Sequence, residues 1–141
     1  MVNTLHIFVL CLVSLLFGCN RGISDKNLTF IMPSEAMTLL QDGKSSLLGP
    51  KSVKIVDARQ MWEFNKSHIK GSINIPFGWL TLLSGELADI NTIIVSGETY
   101  NDYISIAMSK KLISMGFTDI RTLRGGLTGW GDAGEPIETA E

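Results

Sequence analysis

Four short runs of β-branched residues punctuate the chain: Val53-Lys54-Ile55-Val56, Ser72-Ile73-Asn74-Ile75, Thr92-Ile93-Ile94-Val95 and Ile120-Arg121-Thr122-Leu123. Runs this short and this rich in Val, Ile and Thr read as strands. Helical patterns lie between them. Ser34 to Gln41 carries Glu35 near its start and Gly43 shortly after its end, and Ile104, Ala107, Met108, Leu112 and Met115 follow a 3.6-residue period closed by Gly116. Strands separated by helices cannot be joined by hairpins. They predict βαβ units and a mainly parallel, α/β architecture. With 141 residues, 45% of them hydrophobic, the chain is long enough for one well-filled core and not for two.

In a parallel sheet, ligands bind beyond the carboxyl ends of the strands, where loops lead into helix N-termini. The sharpest such place here follows Ile93-Ile94-Val95: the loop Ser96 to Asn101, then Asp102 as the expected N-cap of a helix starting near Tyr103. Chemistry, if any, belongs on this loop.

The first 19 residues differ in kind from the rest. They contain no Asp, Glu, Lys or Arg, and Leu5 to Phe17 is almost wholly apolar. A stretch about 13 residues long is short of the roughly 20 apolar residues that span a bilayer, so it suits an export signal, residues 1–18, better than a permanent span. It ends Leu16-Phe17-Gly18-Cys19, which resembles a bacterial lipobox, although Phe17 is bulky and Met1 to His6 carries no Lys or Arg. The expected product is a lipoprotein attached through Cys19, exported and, if the host is Gram-negative, held at the outer membrane or periplasmic face. A plain cleaved secretory signal is the alternative. Residues 19–29 read as the lipidated cysteine and a polar tether, 30–138 as the domain and 139–141 as a tail. Both cysteines of the chain, Cys11 and Cys19, fall outside that domain.

Twelve basic and 14 acidic residues, with no long run of either sign, leave no electrostatic footprint for nucleic acid and no polybasic membrane patch. One histidine beyond the signal, His68, and scattered carboxylates make no metal-ligand set. No metal and no cofactor are expected.

Four stretches, in order, carry a family resemblance: Val56-Asp57-Ala58-Arg59 with Glu63-Phe64; Ser67-His68-Ile69-Lys70-Gly71-Ser72-Ile73-Asn74-Ile75-Pro76; Leu112 to Phe117; and Leu123-Arg124-Gly125-Gly126 with Trp130, Ala133-Gly134 and Pro136. Together they resemble a rhodanese-like domain. The resemblance implies a five-stranded, mainly parallel sheet with helices on both faces. It also implies sulfurtransferase chemistry, in which a cysteine directly after the fourth main strand carries sulfane sulfur as a persulfide. Such a thiolate is stabilised by loop N–H groups and the helix dipole.

The position matching that nucleophile is Gly97 when aligned on the strand, and falls near Thr99 when aligned from the helix. Neither is a thiol. The loop Gly97, Glu98, Thr99, Tyr100, Asn101, Asp102, Tyr103, Ile104, Ser105 also carries two acids and no base, which disfavours anionic donors. Thr99 and Ser105 have no evident general base, and Glu98 with Asp102 reads as solvated rather than as an acid/base pair. The remaining motif residues read as structural: Asp57, Arg59 and Glu63 as ion pairs at a strand end, His68, Gly71 and Pro76 as scaffold, Gly125 and Gly126 as a positive-φ turn, and Trp130 as core.

Tyr100 and Tyr103, with Trp79 in the preceding connection, are the expected contacts for an unidentified protein or small-molecule partner. The leading expectation is a membrane-tethered, non-catalytic binding or regulatory module. The alternative is a relative of sulfurtransferases that handles sulfane sulfur or a persulfidated partner without a nucleophile of its own.

Overall fold

The computed structural model describes residues 22–45, 49 and 51–140; the stretch read as an export signal, with Cys11 and Cys19, lies outside the described residues. The main sheet has five strands, all parallel, in the order β1-β6-β5-β2-β4: β1 Thr29–Ile31, β2 Val53–Asp57, β4 Ile73–Asn74, β5 Thr92–Ser96 and β6 Ile120–Leu123. A second, antiparallel ribbon pairs β3, Ser67–Ile69, with β7, Ile137–Thr139. The helices are α1 Pro33–Ser45, α2 Met61–Lys66, α3 Leu80–Leu83, α4 Ile104–Ser114 and α5 Gly126–Asp132. The α/β fold with a five-stranded parallel sheet and helices on both faces is therefore present.

Every residue of β5 is buried, as a central strand covered on both faces requires. Its side chains alternate between two cores. Ile93 and Val95 join Val56, Leu80, Met108 and Leu112 under α3 and α4, whereas Ile94 joins Ile55, Ala36, Leu127 and Trp130 under α1 and α5. Strands β2, β5 and β6 thus split their apolar residues by the pleat, and each half is sealed by a different helix pair.

Three local expectations change. Gly43 does not close α1 but lies inside it, because a Cβ there would come within 2.8 Å of the Lys51 carbonyl oxygen and of Val53 Cγ2; the glycine lets the helix pack close to the start of β2. The sheet begins at Thr29 and β7 ends at Thr139, each one residue outside the 30–138 span. The polar segment before it is partly fixed: Asp25–Asn27 makes one 3-10 turn, and the Asp25 carboxylate meets the Lys110 ammonium at 2.6 Å. Thr29 and Ile31 escaped the sequence reading because a three-residue edge strand carries no periodicity to detect.

Candidate functional site

β2 and β5 are neighbours whose registers end together at Asp57 and Ser96. The loops that follow them consequently lie side by side, at the carboxyl edge where such folds bind ligands. Gly97 is the first residue after β5, and Arg59 is the second after β2.

Arg59 is the hub. Its Nε lies 3.0 and 3.1 Å from the two Asp57 carboxylate oxygens and its Nη2 2.7 Å from Oδ2, while its own backbone N–H donates to Asp57 Oδ1 at 2.9 Å. Nη2 also donates to the Ser67 carbonyl at 2.7 Å, and Nη1 donates to Glu98 Oε2 on the loop. Arg59 and Asp57 are 4% and 1% exposed. Burial alone would lower the guanidinium pKa, but the hydrogen bonds and charges of Asp57 and Glu98 outweigh it and the pKa is raised. The turn between them is further held by the Asn74 amide, which donates to the Asp57 and Arg59 carbonyls at 3.1 and 2.9 Å.

Glu63 is not part of this cluster. Its carboxylate instead accepts the Gln60 N–H at 3.0 Å, capping α2 from the third helical position. The spacing Asp57, Arg59, Glu63 suggested a local triad, but the second acid comes from Glu98, 39 residues away. No local pattern announces such a contact.

The loop's second acid is turned inward. Asp102 Oδ1 accepts the N–H groups of Ile104 and Ser105 at 3.0 and 3.3 Å, and Oδ2 accepts those of Glu98 and, at 3.2 Å, Thr99. Helix α4 begins at Ile104, one residue later than expected; Tyr103 holds the N-cap position, and Asp102, one residue before it, accepts the first two helical N–H groups in its place. Both acids therefore have fixed partners: Glu98 shares the Arg59 guanidinium with Asp57, and Asp102 itself occupies the backbone cradle, so the loop keeps its net negative charge. The carboxylate also fills the space beside Gly97, where a Cβ would lie 2.5 Å from Asp102 Cγ.

The other side of the loop is clamped by α5. Leu127 and Thr128 donate their N–H groups to the Gly97 and Glu98 carbonyls, both at 2.9 Å. Gly125 and Gly126 make this approach possible, with φ of +79° and +52°, and a Cβ on Gly126 would collide with the Gly97 carbonyl. Trp130, 2% exposed, donates its indole N–H to the Pro136 carbonyl at 3.1 Å. His68 stacks on Phe64 with ring centroids 3.9 Å apart, and its nitrogens meet the Phe64 carbonyl and Glu138 at 2.9 and 3.0 Å. Gly71 adopts φ +77° in the turn before β4, and Pro76 precedes a 3-10 turn, Phe77–Trp79.

The two loop tyrosines part company. Both are exposed, Tyr100 at 57% and Tyr103 at 80%, but Tyr100 rests one side of its ring beside the positions where Cβ atoms of Gly125 and Gly129 would stand. Thr99, Tyr100, Asp102 and Ser105 line a cavity of only about 50 Å³ with Phe30 and Arg124. That holds one or two waters at roughly 30 Å³ each and is far below the ~300 Å³ of small-molecule sites. Among the described residues no three His, Cys, Asp or Glu side chains gather where a metal could be held, and no helix is long and apolar enough to cross a membrane. The loop has hydrogen-bonding surface and no cysteine, and the Asp102 carboxylate occupies its backbone N–H groups.

Comparison with known proteins agrees with this architecture. The family described as the rhodanese-like domain matches residues 33–133. The thiosulfate sulfurtransferase GlpE of Shewanella oneidensis is 35% identical over 83 residues, covering 59% of this chain and 80% of that protein. A crystal structure of a protein from Lactobacillus plantarum shares the fold, with a TM-score of 0.66 at 22% identity over 94% of this chain and 98% of that one. Thiosulfate sulfurtransferase from Pseudomonas aeruginosa superposes with a TM-score of 0.66 at 25% identity, over 83% of this chain and 21% of that one. The chain, whose only cysteines precede the matched region, belongs to the rhodanese-like domain family.

Proposed function

We propose that this protein is a non-catalytic member of its family, an exported module lipid-anchored through Cys19 that binds a partner protein with the loop from Gly97 to Ser105. One observation carries the reading: the residue after β5 is Gly97, and the Asp102 carboxylate takes both the side-chain space and the N–H donors that a thiolate or persulfide would need. Sulfur transfer through this loop lacks its nucleophile and its electrostatic support. A small-molecule ligand is disfavoured by the 50 Å³ cavity, while Tyr103 and the exposed Trp79 suit a protein surface.

The chain from residue 20 onward is expected to release thiocyanate from thiosulfate and cyanide at the no-protein rate. A rate well above that control overturns the reading. On the binding side, Tyr103→Ala is expected to reduce capture of the partner from a membrane extract by about tenfold, while changing stability by less than about 0.5 kcal/mol. Tyr100→Ala removes a ring that covers the α5 glycines and is expected to lower stability by about 1–2 kcal/mol.

A further inference from the structure

Four of the chain's eight lysines, Lys44, Lys51, Lys54 and Lys70, converge on one trough at the amino end of β2, away from the loop after β5. The trough consists of two adjoining clefts of about 430 and 490 Å³ that share Leu40, Lys44, Val53 and Lys54. Its apolar lining includes Met37 and Trp130 in one cleft and Ile73 and Ile90 in the other. Glu86 is the one acid among the lining residues, and it lines the second cleft only. Among the described residues none of the four lysines forms an ion pair, whereas Arg59, Lys110 and Arg121 each do. Lys51 also borders a cleft with Asp42 and Asp119, so the cleft that gathers positive charge with no acid among its lining residues is the one with Lys44, Lys54 and Lys70, on a chain of net charge −2.

Part of the pattern has a simpler origin. β4 pairs only with Val56 and Asp57, so Val53, Lys54 and Ile55 form an open sheet edge on that side, and lysines discourage another strand from adding there. Edge protection accounts for Lys51 and Lys54. It does not call for Lys44 from the last turn of α1, for Lys70 from the turn before β4, or for an apolar cavity between them.

We propose that this trough binds a single-chain amphipathic anion, a carboxylate carried on a saturated acyl chain. The apolar lining takes the chain, and the lysines at the rim take the carboxylate. The volume falls within the roughly 300–1,000 Å³ of small-molecule sites. Charge complementarity chooses the anionic head over a neutral or cationic one, and the lining chooses an acyl body over a free inorganic anion.

The test uses the full chain with Trp62→Phe and Trp79→Phe, which leaves Trp130 as the only indole, titrated with ω-bromododecanoate, whose bromine quenches a tryptophan on contact. Saturable quenching is expected, weakened at least tenfold by the triple substitution Lys44→Gln, Lys54→Gln, Lys70→Gln, and at least tenfold weaker with ω-bromododecanol. As a check independent of the variant's folding, raising ionic strength from about 0.05 to about 0.5 M should weaken the carboxylate several-fold and leave the alcohol unchanged. Absence of quenching overturns the proposal, as does equal affinity for acid and alcohol or a carboxylate affinity indifferent to both salt and lysines.

Discussion

Placing a cysteine at position 97 is expected to leave the protein without sulfur-transfer activity and to make it less stable. The reason is spatial before it is chemical. Any Cβ at this position lies 2.5 Å from Asp102 Cγ and closer still to its oxygens, so one of the two must move. Asp102 resists moving, because its carboxylate is the acceptor for four backbone N–H groups. Overpacking of this kind costs about 1–3 kcal/mol. Removing the carboxylate instead, as Asp102→Ala, loses a helix cap worth about 0.5–2 kcal/mol and leaves loop donors to find water.

The two changes compete for the same volume and should not add. Gly97→Ala is expected to destabilise by about 2 kcal/mol with Asp102 present and by less than about 1 kcal/mol in an Asp102→Ala background, a coupling readable from urea unfolding of the four proteins. Additive losses would show that the carboxylate is not what excludes a side chain at 97. Chemical reactivity should follow the same logic. A thiol introduced with Asp102→Ser gains the vacated N–H donors and is expected to alkylate several-fold faster at neutral pH than the thiol of Gly97→Cys alone.

Much of this arrangement was legible in the chain because it is local. Val53–Val56, Thr92–Val95 and Ile120–Leu123 announced strands through β-branching, and the parallel sheet followed from the helices between them. Asp102 announced a helix start, since a short acidic side chain ahead of an apolar periodic run caps in most contexts. What escaped the reading is non-local. Glu98 and Asp102 looked like two free charges on one loop, yet the first answers to an arginine 39 residues earlier and the second to four backbone donors. The lysine trough is similar. No run of like charge marks it, because Lys44, Lys54 and Lys70 reach it from a helix, a strand and a turn.

Arg59→Leu is expected to be the most destabilising single substitution outside the apolar cores. Asp57 is 1% exposed, and without the guanidinium its charge keeps only the backbone N–H of residue 59. Breaking a buried pair from one side costs about 3–5 kcal/mol, a large share of the 5–15 kcal/mol that holds a domain of this size. Removing both partners should cost less than removing one, so Asp57→Leu with Arg59→Leu is expected to recover part of the loss. Glu98→Gln should cost under about 1 kcal/mol, because that carboxylate is 47% exposed and water replaces the guanidinium. Its effect belongs to the loop: faster hydrogen exchange at the Thr99 and Tyr100 amides with global stability nearly unchanged. The pH dependence has a definite sign. A raised guanidinium pKa means the pair's contribution is complete below the unfolded-state value and lost only as pH climbs through the folded one, so no unfolding step due to Arg59 should appear between about pH 7 and 9. Urea unfolding of Arg59→Leu within about 1 kcal/mol of the parent would show that Asp57 is satisfied without it, and that the loop after β5 is held in place by Asp102 and α5 rather than by the ion pair beneath it.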